Sequence, residues 1–343
     1  MKTILTIYCA FMLTAAYAQE PDKTIVKVVY HFIHIQDTTQ RDKPYTENMM
    51  LLAGKNASLY TSFDGVSNMI NSQVKRGELK KQGFTDQEIN AQNAGSTHKP
   101  TSSTEFYFFA KEQKFYYKSD MCWNGCMVQA ETDKINWKIA KDTMSFSGIH
   151  CQVATATYKG RNWIAWFAPE LPFESGPWKL QGLPGLIITA YDDKKEVQFK
   201  LGGIEKVKDG DMATDNARNL PDDFIKNFGN IIPGLKIDRV GLPVQRPVRS
   251  GGSIQVTEKE FEKLKIEYDK DPVGFEDAQL IANGMSAIIA MRNASGGRSG
   301  GGSGRVDANG NGTVTQTIAP KTPPAASPPK VVVNNPIELP EKK

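Results

Sequence analysis

The chain has 343 residues, with 42 Lys and Arg against 38 Asp and Glu, so its net charge is +4 when histidine is neutral. This nearly balanced charge, without a basic stripe interleaved with aromatic residues, argues against nucleic-acid binding. Hydrophobic residues make up 39% of the chain, which is enough for the core of one domain or two.

The first 18 residues have the pattern of a secretory signal peptide. Lys2 precedes an apolar run from Ile4 to Leu13, and Ala16-Tyr17-Ala18 is a small-x-small cleavage site. Cys9 lies inside the apolar run and lacks the preceding small residues of a lipoprotein signal. No later segment has the roughly 18 consecutive apolar residues of a membrane span. We therefore expect an exported, soluble protein that is periplasmic, secreted or associated with the outer membrane.

Residues 24–100 are predicted to contain strands followed by one helix and a loop. Strands are expected from Thr24 to Asp37, from Met49 to Gly54 and from Ala57 to Ser62. A helix near residues 65–75 is expected to begin at an Asp64 cap, because four apolar residues share one helical face: Val66, Met69, Ile70 and Val74. The polar residues 77–100 are predicted to form a loop.

Short strands at regular spacing dominate residues 104–207. The candidate strands are 105–110, 114–119, 127–131, 137–140, 143–146, 150–158, 161–167, 186–192 and 197–204. This spacing is typical of an antiparallel sheet and lacks the strand-helix-strand rhythm of a doubly wound fold. The predicted fold class is therefore mainly β (α+β), with a curved antiparallel sheet or partly closed barrel, a packed helix and a disordered C-terminal tail.

The C-terminal third is less regular. Thr257 to Glu260 is a capping box that predicts a helix ending at Asp271-Pro272. Residues 293–343 are rich in Gly, Ser and Pro, and we expect them to be disordered, although the apolar stretch 331–339 is a candidate to dock back. The predicted organisation is a signal peptide (1–18), a β-rich domain (19–292, core 24–208) and a tail (293–343).

The stretch from Gly176 to Ile187 is the most distinctive part of the chain. Pro184-Gly185 predicts a type II turn with a positive φ at Gly185, followed directly by a strand. No phosphate-binding glycine pattern is present in the sequence. The motif residues are Gly182, Leu183, Pro184, Gly185, Leu186 and Ile187, and we interpret them as a structural scaffold.

These residues resemble the GLPGLI family of exported Bacteroidota proteins. The resemblance rests on residues 182–187, on Gly176-Pro177-Trp178, on the block 147–154, on the Trp-rich stretch 158–167 and on residues 48–52. The segment Asn335 to Leu339 also resembles a common ending of the family. The resemblance implies an envelope or secreted protein of unknown biochemical function, and it supplies no catalytic residues.

Five tryptophans lie between residues 123 and 178. Trp163 and Trp166 are three residues apart, so on a regular strand they face opposite sides of the sheet. Core packing explains several of these large rings. The alternative is that Trp163, Trp166 and Trp178 form an aromatic platform for an apolar ligand.

Cys122 and Cys126 flank an Asn-Gly turn, and an oxidising compartment favours a disulfide between them. Cys151 is then left as a small buried thiol, although its pairing with either of the others stays open. Thiol counting by mass spectrometry distinguishes these pairings. Met121 and Met127 are soft copper ligands beside the cysteines, but a disulfide would remove the thiolates, so no metal or other cofactor is expected.

The polar residues do not predict a catalytic site. His31 and His34 face opposite sides of a strand, and the sequence contains neither a G-x-S-x-G elbow nor an H-E-x-x-H helix. The leading hypothesis is an exported, non-catalytic binding protein for an apolar ligand, a peptide or an outer-membrane protein. The alternatives are a hydrolase that uses Glu170 or Glu174, and a purely structural or interaction protein. The oligomeric state is not predicted.

Overall fold

The computed structural model describes residues 22–93, 99–119, 125–130, 134–228, 254–282, 286, 288–290 and 333–340. The predicted signal peptide and most of the predicted tail lie outside these residues. Within them, twelve strands form one open, curved, mixed sheet in the order β12-β6-β5-β4-β3-β2-β1-β11-β10-β9-β8-β7. No helix of the described part is long and apolar enough to cross a membrane.

The strands are β1 (Val26–His34), β2 (Tyr45–Ala53), β3 (Ala57–Ser62), β4 (Glu105–Phe109), β5 (Lys114–Ser119), β6 (Cys126–Ala130), β7 (Lys138–Phe146), β8 (Ile149–Tyr158), β9 (Arg161–Ala168), β10 (Leu186–Asp192), β11 (Val197–Lys206) and β12 (Ile254–Thr257). The helices are α1 (Phe63–Lys81), α2 (Asp86–Asn93), a 3₁₀ helix (Asp215–Asn219), α3 (Asp222–Phe228), α4 (Glu258–Lys270) and α5 (Pro272–Ala282).

The sheet is antiparallel except at one edge, where β12 pairs with β6 in parallel. β1 lies in the middle, with β2 to β6 on one side and β11 to β7 on the other. The predicted mainly β fold with a curved sheet is confirmed. The antiparallel prediction holds for every pair but β12–β6, which sequence spacing did not indicate because its two strands are far apart in the chain.

The two faces of the sheet carry separate cores because successive strand residues point to opposite sides. In β2, Met49 and Leu51 belong to the core that contains Trp163, whereas Met50 and Leu52 belong to the core under α1. The helix contributes its buried residues to this second core. The predicted helix and its apolar face are therefore confirmed.

The start of α1 differs from the prediction. Ser62 is the N-cap, and its Oγ accepts a hydrogen bond from the Gly65 amide at 2.8 Å. The Asp64 carboxylate instead accepts from the Asn48 amide and side chain. The cap prediction was wrong by two residues because the tertiary contact with β2 takes the aspartate away from the helix terminus.

The prediction of a loop over residues 77–100 was also wrong for most of that range. Helix α1 continues to Lys81, and α2 follows over Asp86–Asn93. The residues are polar because the helices are exposed. Thr85 and Glu88 form a reciprocal capping box that starts α2, a signal present in the sequence.

One predicted gap between strands is absent. The segments 137–140 and 143–146 form the single strand β7, with an irregular register against β8 between Ile139 and Thr143. An irregularity of this kind bends an edge strand and interrupts its pairing. The apparent break in the sequence pattern therefore coincides with this irregularity in the pairing.

The segment from Gly176 to Ile187 forms the last part of the β9–β10 connection. Leu186 pairs with Ala168 as β10 begins, and the buried Tyr30 hydroxyl donates to the Ile187 carbonyl at 2.6 Å. The Gly185 amide donates to the Leu183 carbonyl at 2.8 Å, which is the hydrogen bond of a γ-turn around Pro184. The scaffold interpretation agrees with this geometry.

The predicted role of Gly185 was wrong in detail. Positive φ values occur at Gly182 (83°) and Trp178 (55°), and Gly185 is not among such residues. A Cβ on Gly185 would instead lie 2.3 Å from the Ala168 carbonyl oxygen. Gly185 is needed because two backbone segments approach closely there, which a turn pattern does not reveal.

We expect Gly185→Ala to lower the free energy of unfolding by about 2 kcal/mol or more, since the added methyl must displace backbone. Gly203→Ala is the matched control, because nothing lies within 4 Å of a Cβ at that strand position. Urea denaturation of both variants measures the difference. Equal stabilities of the two variants would contradict the close-approach explanation.

Candidate functional site

A constellation of buried polar residues is centred on Arg161, and we call it the Arg161 cluster. It comprises Arg161, Asp192, Glu196, His34 and Asn335. These residues come from the start of β9, the end of β10, the β10–β11 turn, the end of β1 and the C-terminal segment 333–340. All five are nearly inaccessible to solvent.

Arg161 uses every N–H of its guanidinium group. Its Nη1 donates to Asp192 Oδ2 at 2.8 Å and to Glu196 Oε2 at 3.3 Å. Its Nη2 donates to Asn335 Oδ1 at 2.6 Å and to the Pro336 carbonyl at 2.7 Å, while Nε donates to the Ile337 carbonyl at 2.8 Å. Guanidinium has five donors, so three of them bind the C-terminal segment.

Both the oxygen and the nitrogen of the Asn335 side-chain amide form hydrogen bonds. Its Oδ1 accepts from Arg161, and its Nδ2 donates to the Ile35 carbonyl at 2.7 Å and to Glu196 Oε2 at 3.2 Å. The Asn335 carbonyl is 2.7 Å from His34 Nε2, and its amide donates to the Gln36 carbonyl at 3.0 Å. An amide side chain held this completely fixes the register of the segment.

The rest of the segment is held at its two ends. Asn334 accepts from the Thr38 amide and donates to Asp37. The Leu339 amide donates to the Lys159 carbonyl at 3.0 Å, and Glu338 pairs with Lys179 at 2.7 Å. The alternative that the apolar ending docks back therefore agrees with residues 333–340, whereas residues 291–332 lie outside the described part.

The β8–β9 turn is shaped to receive the segment. Lys159 and Gly160 both have positive φ values, of 50° and 71°, as a type I′ hairpin turn requires. A Cβ on Gly160 would lie 2.5 Å from the Leu339 carbonyl oxygen. The glycine is needed for the turn and for the close passage of the C-terminal backbone.

The electrostatics of the Arg161 cluster favour one protonation state. Burial opposes the ionisation of Glu196, but hydrogen bonds from Arg41 and Arg161 outweigh it and hold its pKa below the usual range. Burial is also the main cause of the lowered pKa of His34, assisted by the nearby Arg161 charge. At neutral pH, a neutral His34 donates Nε2–H to the Asn335 carbonyl.

The three tryptophans of the predicted ligand platform do not share a surface. Trp163 is fully buried, and Trp178 packs on it with ring centroids 5.7 Å apart. Trp166 faces the other side of β9, as the alternation predicted, and is half-buried against Phe146 at 5.7 Å. Core packing therefore accounts for the rings of Trp163 and Trp178. Of the three predicted ligand-binding tryptophans, Trp166 is the one whose ring is partly accessible to a ligand.

The cysteine predictions are tested only in part. Cys151 is a free, buried cysteine, and burial followed by the Glu170 charge raises the pKa of its thiol to about 11. Cys126 is buried on β6, but Cys122 and Met121 lie outside the described residues, so the Cys122–Cys126 disulfide stays a prediction. Among the described residues, no group of three or more His, Cys, Asp or Glu is placed to hold a metal ion.

The carboxylates of the hydrolase alternative are exposed. Glu170 and Glu174 both lie on the β9–β10 connection with solvent-exposed side chains. His31 and His34 face opposite sides of β1, as predicted, with His31 exposed and hydrogen-bonded to Asn48 at 2.6 Å. The sequence analysis did not identify Arg161 as a cluster residue. The pattern that could have indicated it is a charged residue, directly after a glycine turn, at the start of an otherwise apolar strand.

One family model of unknown function matches part of the chain. Residues 68–189 match the family model described as "Protein of unknown function (Porph_ging)". This range begins in α1 and ends in β10, so it includes the GLPGLI stretch and is compatible with that resemblance. A search of curated proteins finds no match.

Two solved structures of PNGF-II, in space groups P21 and C2, resemble the chain distantly. Each alignment has a TM-score of 0.39 and 10% sequence identity, and covers 70% of this chain and 32% of the other. The chain therefore spans about a third of their length. A likeness at this level supports no conclusion about function.

The lowered pKa of His34 predicts a pH-dependent stability. The unfolded chain takes up a proton at this residue below about pH 6.5, whereas the folded chain resists it. The free energy of unfolding should therefore fall as the pH decreases from about 6.5 towards the folded pKa. We expect the urea concentration at the unfolding midpoint to decrease when the pH is lowered from about 7.5 to about 5.5. The decrease should be smaller in His34→Gln, whose side-chain amide can still donate a hydrogen bond to the Asn335 carbonyl.

The exposed His31 provides the matched control on the same strand. His31→Gln should keep the pH dependence of the unmodified chain. An undiminished dependence in His34→Gln would contradict the assignment. Glu196 contributes in a lower window, because stability that its depressed pKa provides above about pH 4.3 is lost as the pH falls through the folded value.

Proposed function

We propose that the chain is an exported, non-catalytic binding protein of the cell envelope whose ligand is an extended polypeptide segment. One observation supports this most directly: three of the five N–H groups of the buried Arg161 bind a peptide, residues 335–337. In the folded chain this peptide is its own. A partner with the same chemistry would use the same donors and acceptors.

The contacts define the peptide that this groove fits. Asn is required first, because its amide is enclosed by Arg161, Ile35 and Glu196. Pro336 follows and has no N–H that would need a partner. Ile337 packs against the core that contains Trp163, and Glu338 pairs with Lys179. The preferred sequence is therefore Asn-Pro-Ile-Glu or a close variant.

The native segment competes with any external peptide. Attachment to the same chain makes its binding intramolecular, which gives it a higher effective concentration than a free peptide has at dilution. A segment from an outer-membrane partner binds when its own contacts outweigh this advantage or when the native segment is displaced. Export of this chain, which the sequence predicts, is the condition for it to meet such a partner in the envelope.

Weakening the native segment should open the groove to a peptide supplied from outside. We expect Asn335→Ala in the full chain to bind a fluorescent peptide of residues 331–343 at least about tenfold more tightly than the unmodified chain does, because the variant segment loses its amide hydrogen bonds. Fluorescence anisotropy measures both affinities.

The peptides themselves supply the controls. A peptide with Val333→Ala should bind like the natural one, because Val333 is half exposed, whereas a peptide with Asn335→Ala should not bind. If the Asn335→Ala chain folds but does not bind the natural peptide, the proposal that an external peptide can replace the native segment is wrong. Loss of cooperative unfolding in that variant would overturn it equally, since the segment would then be a fixed part of the core.

An apolar ligand on the Trp166 side of the sheet is the second proposal. Trp166 pairs with Val153, Cys151 lies two residues before Val153 on β8, and Met144 pairs with Cys151. These side chains therefore point to one face, which also holds Phe146. Met144 is 50% exposed, and its position on the same face as Trp166 supports a contact surface there.

Laurate tests this surface as a simple apolar ligand. We expect Trp166→Ser to weaken laurate binding at least about fivefold, because the ring is the largest apolar group on that face. Ser145→Ala, an exposed position on β7 whose side chain points to the opposite face from Met144, should leave binding unchanged. Titration calorimetry reports both variants, and equal affinities would end the proposal.

A further inference from the structure

A cleft lies between α4 and the sheet, near the start of β4 and the end of β5. Its volume is about 340 Å³, which is within the range of about 300–1,000 Å³ typical of small-molecule sites. Tyr117 of β5 lines one side, and α4 lines the other with Phe261, Lys265, Tyr268 and Asp269. The cleft shares no residue with the Arg161 cluster.

The helix side of the cleft is a single face of α4, since its four residues recur at the helical spacing of three and four positions. Phe261, at the start of this face, packs against β6 and edge-on to Tyr117, with ring centroids 5.6 Å apart. Tyr268, two turns later, packs edge-on against Phe275 of α5 instead, at 5.7 Å. The helix is therefore anchored to the sheet near its first turn, and its second half borders an open wedge.

The side chains of the cleft can be reached from solvent. Lys265 and Asp269 are exposed, and Tyr117 and Tyr268 are half-buried. Phe261 is 8% exposed and is the most buried of the five. A molecule that enters the cleft therefore meets two tyrosine rings and two charged groups directly.

The tyrosine rings favour a ligand that has an aromatic group. Aromatic rings attract one another in offset or edge-to-face arrangements, with centroids about 4.5–7 Å apart. A ligand with one ring can lie against Tyr117 or Tyr268 at such a distance. The volume of the cleft leaves room for that ring and for a short polar end.

The two charged residues of the cleft have opposite signs at neutral pH. Lys265 and Asp269 are four residues apart, so they are neighbours on the helix surface. Lys270 pairs with Glu267 on the same helix at 2.8 Å, whereas among the described residues no ion pair includes Lys265 or Asp269. A lysine that precedes its acid by four residues is the less favourable order for a helical pair. Both charges are therefore available to a ligand.

One charge of each sign on the same face selects a zwitterion. A simple anion would pair with Lys265 but would also lie beside the Asp269 carboxylate, and a simple cation would meet the reverse arrangement. A neutral molecule would displace water from both charges without a charged group to replace it. An α-amino acid carries an ammonium and a carboxylate on one carbon, so each of its charges meets the opposite charge.

We propose that this cleft binds a free α-amino acid with an aromatic side chain. The Lys265 ammonium binds the ligand carboxylate, the Asp269 carboxylate binds the ligand ammonium, and the ligand ring lies against Tyr117 and Tyr268. An amino acid inside a peptide chain has lost both backbone charges, so the cleft differs in chemistry from the polypeptide groove. The proposal does not depend on that groove, because the two sites have no residue in common.

Isothermal titration calorimetry of the full chain with L-phenylalanine, L-tyrosine and L-tryptophan tests the proposal. At least one of the three should bind. Three analogues each lack one feature: 3-phenylpropanoate lacks the ammonium, phenethylamine lacks the carboxylate, and L-alanine lacks the ring. Each analogue should bind at least about threefold more weakly than the best amino acid, as expected for the loss of one exposed charge pair or one ring contact.

Two substitutions on α4 locate the binding. Lys265→Gln should weaken the amino acid and 3-phenylpropanoate about threefold to fivefold without weakening phenethylamine. Asp269→Asn should weaken the amino acid and phenethylamine to the same extent without weakening 3-phenylpropanoate. Lys263→Gln is the matched control and should leave all affinities unchanged, because this exposed lysine lies on the opposite face of the helix.

Three results would overturn the proposal. The first is that none of the three amino acids binds. The second is that 3-phenylpropanoate or phenethylamine binds as tightly as the best amino acid, which would contradict the selection of a zwitterion. The third is that both substitutions leave binding intact, which would place the amino acid elsewhere on the chain.

Discussion

The burial of one guanidinium group constrains this fold more than any other interaction. Arg161 is 3% exposed, and a buried charge without partners would cost several kcal/mol. Asp192 and Glu196 supply two acceptors from the neighbouring β10–β11 hairpin. The remaining three come from residues 335–337, which therefore have to return to this end of the sheet. A segment far along the chain is fixed by a requirement of the first residue of β9.

The GLPGLI stretch stabilises the same region from the other direction. Its connection carries Trp178 onto Trp163, and it brings Lys179 to Glu338 of the C-terminal segment. Gly185 allows its backbone to pass against Ala168 without a side chain between them. The stretch is thus a close-packed support for β9, β10 and the docked segment, which explains a distinctive sequence that contains no catalytic group.

Much of the architecture could be predicted locally. β-branched and aromatic runs marked nearly every strand from β1 to β11, and the Thr257 to Glu260 capping box marked α4 correctly. One error was to interpret the polar residues 77–100 as a loop. The other was to assign a positive φ to Gly185 because it follows Pro184. In both cases the local pattern permits two structures. Exposure of α1 and α2, and the approach of Ala168 to Gly185, decided between them.

The sequence by itself determined the strands, the helix face of α1 and the opposite orientations of Trp163 and Trp166, because these depend on periodicity between near neighbours. Only the tertiary structure decided which polar groups meet. Arg161 binds Asn335 across a separation of 174 residues. Such contacts leave no periodic signal in a single sequence, since the partners are selected by the path of the folded backbone and by the cost of leaving buried polar groups unpaired.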